Sequence, residues 1–350
     1  MRSPDTRKTA VLLVNLGTPE APTSGHVRRY LREFLGDPRV LTLPGPLRWL
    51  LLNAVILPTR PRKSAAAYRA IWTAAGSPLR VHSEALTREV AARLGGAYST
   101  RLAMRYGQPS IAQALGELEA EGMERLLVLP LFPQYASSVT SSVAAQVFDC
   151  LARRSDIPPV EILGAFYDEP EFAAAWAEIA GPGLAGFAAD HTLFSFHGLP
   201  VDQIRASDPQ HGHCLASPDC CESPGPSLAR CYRAQCYATA KSLVAALGLD
   251  PAQTSTSFQS RLGSTPWIEP HTDQLIAELQ ARGVRRLAVL CPAFVADCLE
   301  TLEEIGIRLR RDWRALGGED LWLAPCPNGD PRFAEAVAGW IRRRAPGPHP

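Results

Sequence analysis

The sequence predicts an α/β protein of two similar halves, each a four-stranded parallel sheet flanked by helices, with an active-site cleft between them. Three observations lead there. Short apolar runs rich in β-forming residues alternate with helical patterns along the whole 350 residues. Stretches of the first half have counterparts in the second: MERLLVLPLFPQYASSVTSS from Met123 resembles VRRLAVLCPAFVADCLETLEEI from Val284, and LVNLGTP (13–19) resembles FSFHGLP (194–200). Glycine and proline, 26 and 31 residues, are scattered without a period, which suits the many tight connections of such a fold.

In chain order the predicted strands are 11–17, 100–107, 125–132, 160–166, 191–198, 254–260, 285–292 and 321–326. Division four and four puts the boundary near Asp168, giving halves 1–168 and 169–328 and a C-terminal helix and tail, 329–350. Two half-molecules facing each other make a cleft at the C-terminal strand ends, where ligands of open α/β sheets bind. Residues 331–344 read as an amphipathic helix whose basic end suits the helix dipole. The segment LTLPGPLRWLLLNAVILP (41–58) is apolar enough to need explaining, yet Pro44, Pro46, Pro58 and Arg48 argue against a membrane span. The prolines also oppose one long packed helix, so an exposed lip is expected, with Leu51, Leu52 and Ile56 outward.

The charge balance of 36 basic against 35 acidic residues leaves nothing to neutralise a nucleic-acid backbone, so no nucleic-acid partner is expected. The run VLLV behind the basic N-terminus is too short for a signal-peptide core, so a cytoplasmic location is expected.

Three constellations carry chemistry. His197 follows the strand TLFSF and precedes Gly198, so it should project from a strand end; Asp297, Glu300 and Glu304 recur at spacings of three and four, on one face of a helix. Alone, the first is most simply a hydrogen-bonded core histidine and the second a solvated helix face. Together, an imidazole facing carboxylates suits a divalent cation in transit or protons leaving a substrate. Next, five of the nine cysteines (Cys214, Cys220, Cys221, Cys231, Cys236) fall within 23 residues. Without an export signal, disulfides are not expected, and the spacing lacks the paired C-x2-C knuckles of zinc sites, which favours an iron-sulfur cluster over zinc. Finally, Arg60, Arg62, Ser77, Arg105, Tyr106 and FPQYASSVTSS (132–142) offer guanidinium and hydroxyl groups; hydroxyls at helix starts are most often caps, but can also bind anions.

These residues together resemble the ferrochelatases, which insert ferrous iron into a porphyrin. The resemblance runs from about Val11 to Pro325 through NLGTPE, IWTAAGSPL, AMRYGQPS, LPLFPQYASSVTSS, SFHGLP, FQSRLGSTPWIEPHTD and CPAFVADCLETLEEI. It implies Rossmann-like halves, a lyase inserting Fe(II) into protoporphyrin IX with release of two protons, and a porphyrin held between His197 and Glu300, the catalytic and iron-handling pair. It places Phe294, Asp297 and Glu304 in the same pocket, Leu41, Tyr68, Arg105, Tyr106 and Phe132 on the macrocycle wall, and Arg60, Arg62 and Ser77 near the propionates. It makes 41–58 a lip in peripheral contact with the inner membrane surface. Some members hold a 2Fe-2S cluster; here Ser137 stands where those with a C-terminal extension have their first cysteine. The insert 211–236 looks like an internal alternative, with Cys214, Cys221, Cys231 and Cys236 as the expected ligands and Cys220 able to replace one. Rival readings are a coproporphyrin ferrochelatase, another tetrapyrrole chelatase, and a non-catalytic iron-sulfur or haem-handling protein.

Overall fold

The computed structural model describes residues 8–222, 226–261, 263 and 265–345; the basic N-terminus (1–7), residues 223–225 of the predicted insert, Leu262, Ser264 and the tail 346–350 lie outside the described residues. The predicted strands form as β1 (Thr9–Gly17), β2 (Tyr98–Tyr106), β3 (Arg125–Pro130), β4 (Val160–Ile162), β5 (His191–His197), β6 (Thr254–Gln259), β7 (Arg286–Leu290) and β8 (Asp320–Leu323). They make two wholly parallel sheets of the same order, β2-β1-β3-β4 and β6-β5-β7-β8. The repeat read from the sequence is therefore a structural repeat, with β1 matching β5 and β3 matching β7. Central strands of such sheets are covered on both faces, and the VLLV of β1 is fully buried.

The helices are α1 (Ser24–Gly36), α2 (Gly45–Leu50), α3 (Leu57–Ile71), α4 (Pro78–Leu94), α5 (Ile111–Ala120), α6 (Ser142–Leu151), α7 (Pro170–Phe187), α8 (Val201–Ala206), α9 (Tyr232–Leu247), α10 (Thr272–Ala281), α11 (Arg310–Ala315) and α12 (Pro331–Arg344). The chain forms two compact units. The first comprises the described residues of Met1–Leu131, Ser137–Gly164 and Asn328–Pro350; the second comprises Phe132–Ala136 and those of Ala165–Pro327. The last helix thus belongs with the first unit, where Arg342 donates to the Arg93 carbonyl at the end of α4 (2.6 Å) and Tyr98 to that of Ala345 (2.5 Å). In the second unit, Leu193, Leu287, Val289 and Leu321 of the sheet pack with Ile305, Leu309 and Trp313.

Two segments depart from the sequence expectation. Residues 45–71 run as nearly continuous helix, α2, a π-helical stretch Leu51–Ile56 and then α3, despite Pro58 and Pro61. A proline lacks an N–H and crowds the carbonyl four residues back. The wide turn just before Pro58, where the Leu57 N–H reaches the Leu52 carbonyl, eases that conflict for Pro58, whereas Pro61 lies within α3 itself. Leu52 and Leu57 are buried against Leu35, with Ile56 and Leu41 packed beside them, so Leu52 and Ile56 do not face outward. The large apolar side chains of 41–58 that are exposed are Leu43, Leu47, Trp49, Leu50 and Val55. No helix among the described residues is long and apolar enough to cross a membrane.

The second departure is Leu299–Leu309, which is π-helical rather than α-helical. Its N-cap is Cys298, whose thiol accepts from the Thr301 backbone while the Thr301 hydroxyl accepts from the Cys298 N–H. Asp297 lies before the helix, buried, holding the Thr301 hydroxyl at 3.0 Å, so it does not continue the face of Glu300 and Glu304.

Candidate active site

His197 ends β5, half-buried, in the second unit. Its Nδ1 lies 2.6 Å from the Gly198 carbonyl, and a carbonyl can only accept. Nδ1 therefore carries the proton of the neutral ring, which leaves the Nε2 lone pair free to accept a proton or bind a metal. The ring sits 6.4 Å from Phe294, edge-on, and 6.5 Å from Trp267, so it is held between aromatic neighbours. The strand end is pinned twice more: Gly198 N–H donates to the Gln259 carbonyl (2.7 Å) and the Tyr232 hydroxyl to the His197 carbonyl (2.8 Å). A Cβ at position 198 would lie 2.8 Å from that Gln259 carbonyl, so this close approach needs glycine.

Glu304 shares the pocket. Both its oxygens are held by Ser260, from the backbone N–H (2.9 Å) and the hydroxyl (2.6 Å), with Ser260 in left-handed backbone at the end of β6. Burial raises its carboxyl above the ordinary glutamate value; the Ser260 hydroxyl and the charges of His197 and Arg308 oppose that rise, and the charge of Glu300 adds to it. Arg308 is 3.7 Å from Glu304 but pairs more closely with Glu303, at 2.8 and 3.0 Å. Glu300 is half-buried; its carbonyl accepts from Gln259 (2.8 Å), whose other amide atom accepts from Ser195 (2.6 Å). The second unit thus brings His197, Glu300, Glu304 and Phe294 together, with Asp297 one layer deeper.

The expected residues of the first unit are differently engaged. Arg105 donates to Asp37 (2.7 Å) and to the Ser142 hydroxyl (2.7 Å), and stacks over the Tyr106 ring. Tyr106 is fully buried, its hydroxyl on the same Asp37 oxygen (2.9 Å). Ser77 stands at the N-cap position of α4 but makes no capping bond; it pairs instead with Thr18 (2.7 Å). Tyr68 is buried edge-on to Trp72, while Leu41 and, in the second unit, Phe132 are half-buried. Arg60 and Arg62 are exposed on α3; two residues apart, they diverge by about 200° around the helix, so they do not act together on one group. The sequence reading included Ser142 in its hydroxyl run 132–142 but missed Asp37, Ser260, Trp267 and Tyr232 as site residues. Ser260 and Trp267 do lie within the FQSR…STPW block it singled out.

In the insert, Asp208 gathers the loop by accepting from the N–H groups of Gly212, His213 and Cys214 and from the Ser227 hydroxyl (2.6 Å). The thiols of Cys214 and Cys221 both lie near that of Cys231. Arg233 donates to Cys221 (3.3 Å) and the Leu215 N–H to Cys220 (3.3 Å). Cys236 is fully buried in α9. Among the described residues, no three His, Cys, Asp or Glu side chains are disposed around a single point to hold one metal ion. A cavity of about 290 Å³ in this unit is lined by Asp190 and His191, at the far end of β5 from His197, roughly 20 Å away along the strand.

Two parallel sheets of one order, with a histidine at a strand end and helix-borne carboxylates near it, give a chelatase-like α/β protein. Its fold is similar to that of SirB from Bacillus subtilis with Fe3+ (TM-score 0.54, 12% identity, 97% of this chain and 96% of that one). It is similar also to the sirohydrochlorin chelatase SirB of Bacillus subtilis subspecies spizizenii in complex with cobalt (0.53, 11%, 97% and 95%). At such identities the likeness is one of fold. The family model of the ferrochelatases matches residues 8–345, and the chain belongs to the ferrochelatase family. It is 49% identical to a ferrochelatase of Azotobacter vinelandii over 95% of this chain and 98% of that one. It is 45% identical to one of Legionella pneumophila (strain Lens) over 96% and 99%, and 44% identical to one of Opitutus terrae over 95% and 96%. The family's reaction in haem synthesis, a lyase reaction, is the insertion of ferrous iron into a porphyrin.

Proposed function

We propose that the chain inserts Fe(II) into protoporphyrin IX with His197 Nε2 accepting the pyrrole protons. The observation that carries this is the Nδ1 contact with the Gly198 carbonyl, which commits the ring to one tautomer and leaves Nε2 as a base. Two N–H protons leave the macrocycle as one Fe(II) enters. Glu300, with Glu304 and Asp297 behind it, handles iron or carries protons away. The burial that raises the Glu304 carboxyl supports a proton-passing role. A flat porphyrin hides its nitrogen lone pairs in its own plane, so a rigid site that favours a buckled ring lowers the barrier by binding the activated geometry better. Phe294 and Trp267 supply stiff aromatic surface beside His197. Leu41, Tyr68, Phe132, Arg105 and Tyr106 belong to the macrocycle wall in this reading. Because Asp37 and Ser142 already hold Arg105 and Tyr106, those two support the wall rather than grip the ligand. Arg60 or Arg62 offers a guanidinium to a propionate, and Ser77 a hydroxyl. The exposed Leu43, Leu47, Trp49, Leu50 and Val55 dock on an anionic membrane surface in the cytoplasm. Anaerobic incubation of the pure protein with Fe(II) and either protoporphyrin or coproporphyrin, followed by loss of the free-porphyrin spectrum, tests the reading. Turnover with coproporphyrin alone would replace the substrate, and turnover with neither would end the proposal.

The cysteine-rich insert fits a 2Fe-2S cluster in its donor set. Such a cluster takes two thiolates on each of two irons, so it needs no three ligands around one point. Cys214, Cys221 and Cys231 are mutually close through Cys231, and the N–H donors on Cys220 and Cys221 suit thiolate sulfur. Cys236, fully buried within α9, is the weaker fourth ligand, and Cys220, whose sulfur already accepts the Leu215 N–H, the stronger. When bound, the cluster would supply stability or redox sensing, and no step of metalation passes through it.

A further inference from the structure

Tyr232 belongs to none of the functional sets above, yet its hydroxyl is placed where the reaction is controlled. It is buried at the first position of α9, directly after Cys231, the last residue of the cysteine loop. A phenol has one proton to give, and here that proton goes to the main-chain carbonyl of His197 (2.8 Å). We infer that Tyr232 is a positioning residue for His197, through which the helix closing the cysteine-rich insert sets the strand end that carries the base.

The geometry makes the consequence specific. The His197 carbonyl and the Gly198 N–H belong to one peptide plane, held by Tyr232 on one edge and by the Gln259 carbonyl on the other. The Gly198 carbonyl that fixes the imidazole tautomer follows immediately. Releasing one edge lets that plane rotate, which moves the ring relative to the carboxylates and loosens the Nδ1 bond. Porphyrin contacts made by Phe294 and Trp267 do not depend on the phenol proton. The loss should therefore fall on kcat rather than on KM.

The inference rests on His197 being the base, and the test separates the two. Tyr232→Phe keeps the ring and removes only the donor; kcat should fall on the order of tenfold, with KM for porphyrin changed by less than about twofold. Nitrogen NMR of the folded variant should show His197 leaving the single Nδ1–H tautomer of the parent. Since a phenylalanine could compromise folding, a volume-matched pair is the second arm. With 4-aminophenylalanine at 232, which retains an N–H donor, kcat should stay near the parent's; with 4-methylphenylalanine it should fall as for phenylalanine. Equal kcat in that pair, or an unshifted tautomer with full kcat in Tyr232→Phe, overturns the inference. If His197→Ala turns over normally, the assignment of the base fails whatever Tyr232 does; if it is dead while Tyr232→Phe is fully active, only the present inference fails.

Discussion

Asp37 is the carboxylate on which the first unit's polar network converges, and replacing it with asparagine isolates that network's contribution. Its Oδ2 accepts from Arg105, Tyr106 and Ser142 at 2.7, 2.9 and 2.5 Å, and its Oδ1 from the Arg39 N–H at 2.7 Å. The side chains of Asp37 and Arg105 are only 2% and 13% exposed, so water cannot take over when the charge is removed. Stranding one member of a buried pair costs about 3–5 kcal/mol, and a unit of this size loses roughly 2–4 °C per kcal/mol, so Tm should fall by roughly 6–20 °C. Calorimetry and urea unfolding of Asp37→Asn read this directly. Adding Arg105→Gln should recover part of the loss, because no uncompensated charge then remains. Burial raises the Asp37 carboxyl, but hydrogen bonds from Ser142, Arg39 and Tyr106 and the charge of Arg105 outweigh it and leave the folded-state value below the usual 3.8. A depressed carboxyl contributes its full stability above the unfolded value and loses it as pH falls through the folded one. Parent and variant should therefore differ most at neutral pH and converge below about pH 4. A Tm within about 2 °C of the parent at neutral pH would refute the reasoning.

Changing Leu47, Trp49, Leu50 and Val55 together to serine should release the protein from anionic vesicles in a flotation assay and leave Tm unchanged, since these side chains are exposed. Leu52→Ala should instead cost about 2–5 kcal/mol, measured by urea unfolding, because Leu52 packs with Leu35 and Leu57. Glu300→Gln should abolish turnover in the anaerobic assay. Glu303→Gln should keep kcat but free Arg308 for Glu304, lowering the Glu304 carboxyl and moving the acid limb of the kcat/KM profile to lower pH by less than about one unit, a modest shift because Arg308 is half exposed. Protein purified anaerobically should be brown and bleach on reduction, and Cys231→Ser, which removes the thiol nearest both Cys214 and Cys221, should be colourless.

The alternation of strands and helices, the internal repeat and His197 at a strand end were legible in the sequence because each rests on local periodicity. What was not legible depends on partners far along the chain. Arg105 and Tyr106 read as wall residues until Asp37, some 70 residues earlier, is seen to hold both. The acidic row of Asp297, Glu300 and Glu304 matched an α-helical period, but the Cys298 cap and the π-helical winding after it leave only the two glutamates on the helix. Pro58 read as a helix breaker; the wide turn ahead of it, invisible to a propensity argument, lets the helix run on, and Leu52 packs inward. Tyr232 lies inside the cysteine-rich run 211–236, yet nothing there marked it, since what sets it apart is a single hydrogen bond to a main-chain atom.

The account stands or falls on His197 as the group that takes the pyrrole protons. The most direct measurement is single-turnover metalation by His197→Ala under anaerobic conditions, with porphyrin binding followed in parallel by quenching of protein fluorescence. Metal insertion should be lost while porphyrin affinity stays near the parent's, since the substitution removes the Nε2 base and leaves Phe294 and Trp267 in place. Metalation at close to the parent rate by that variant would contradict the account.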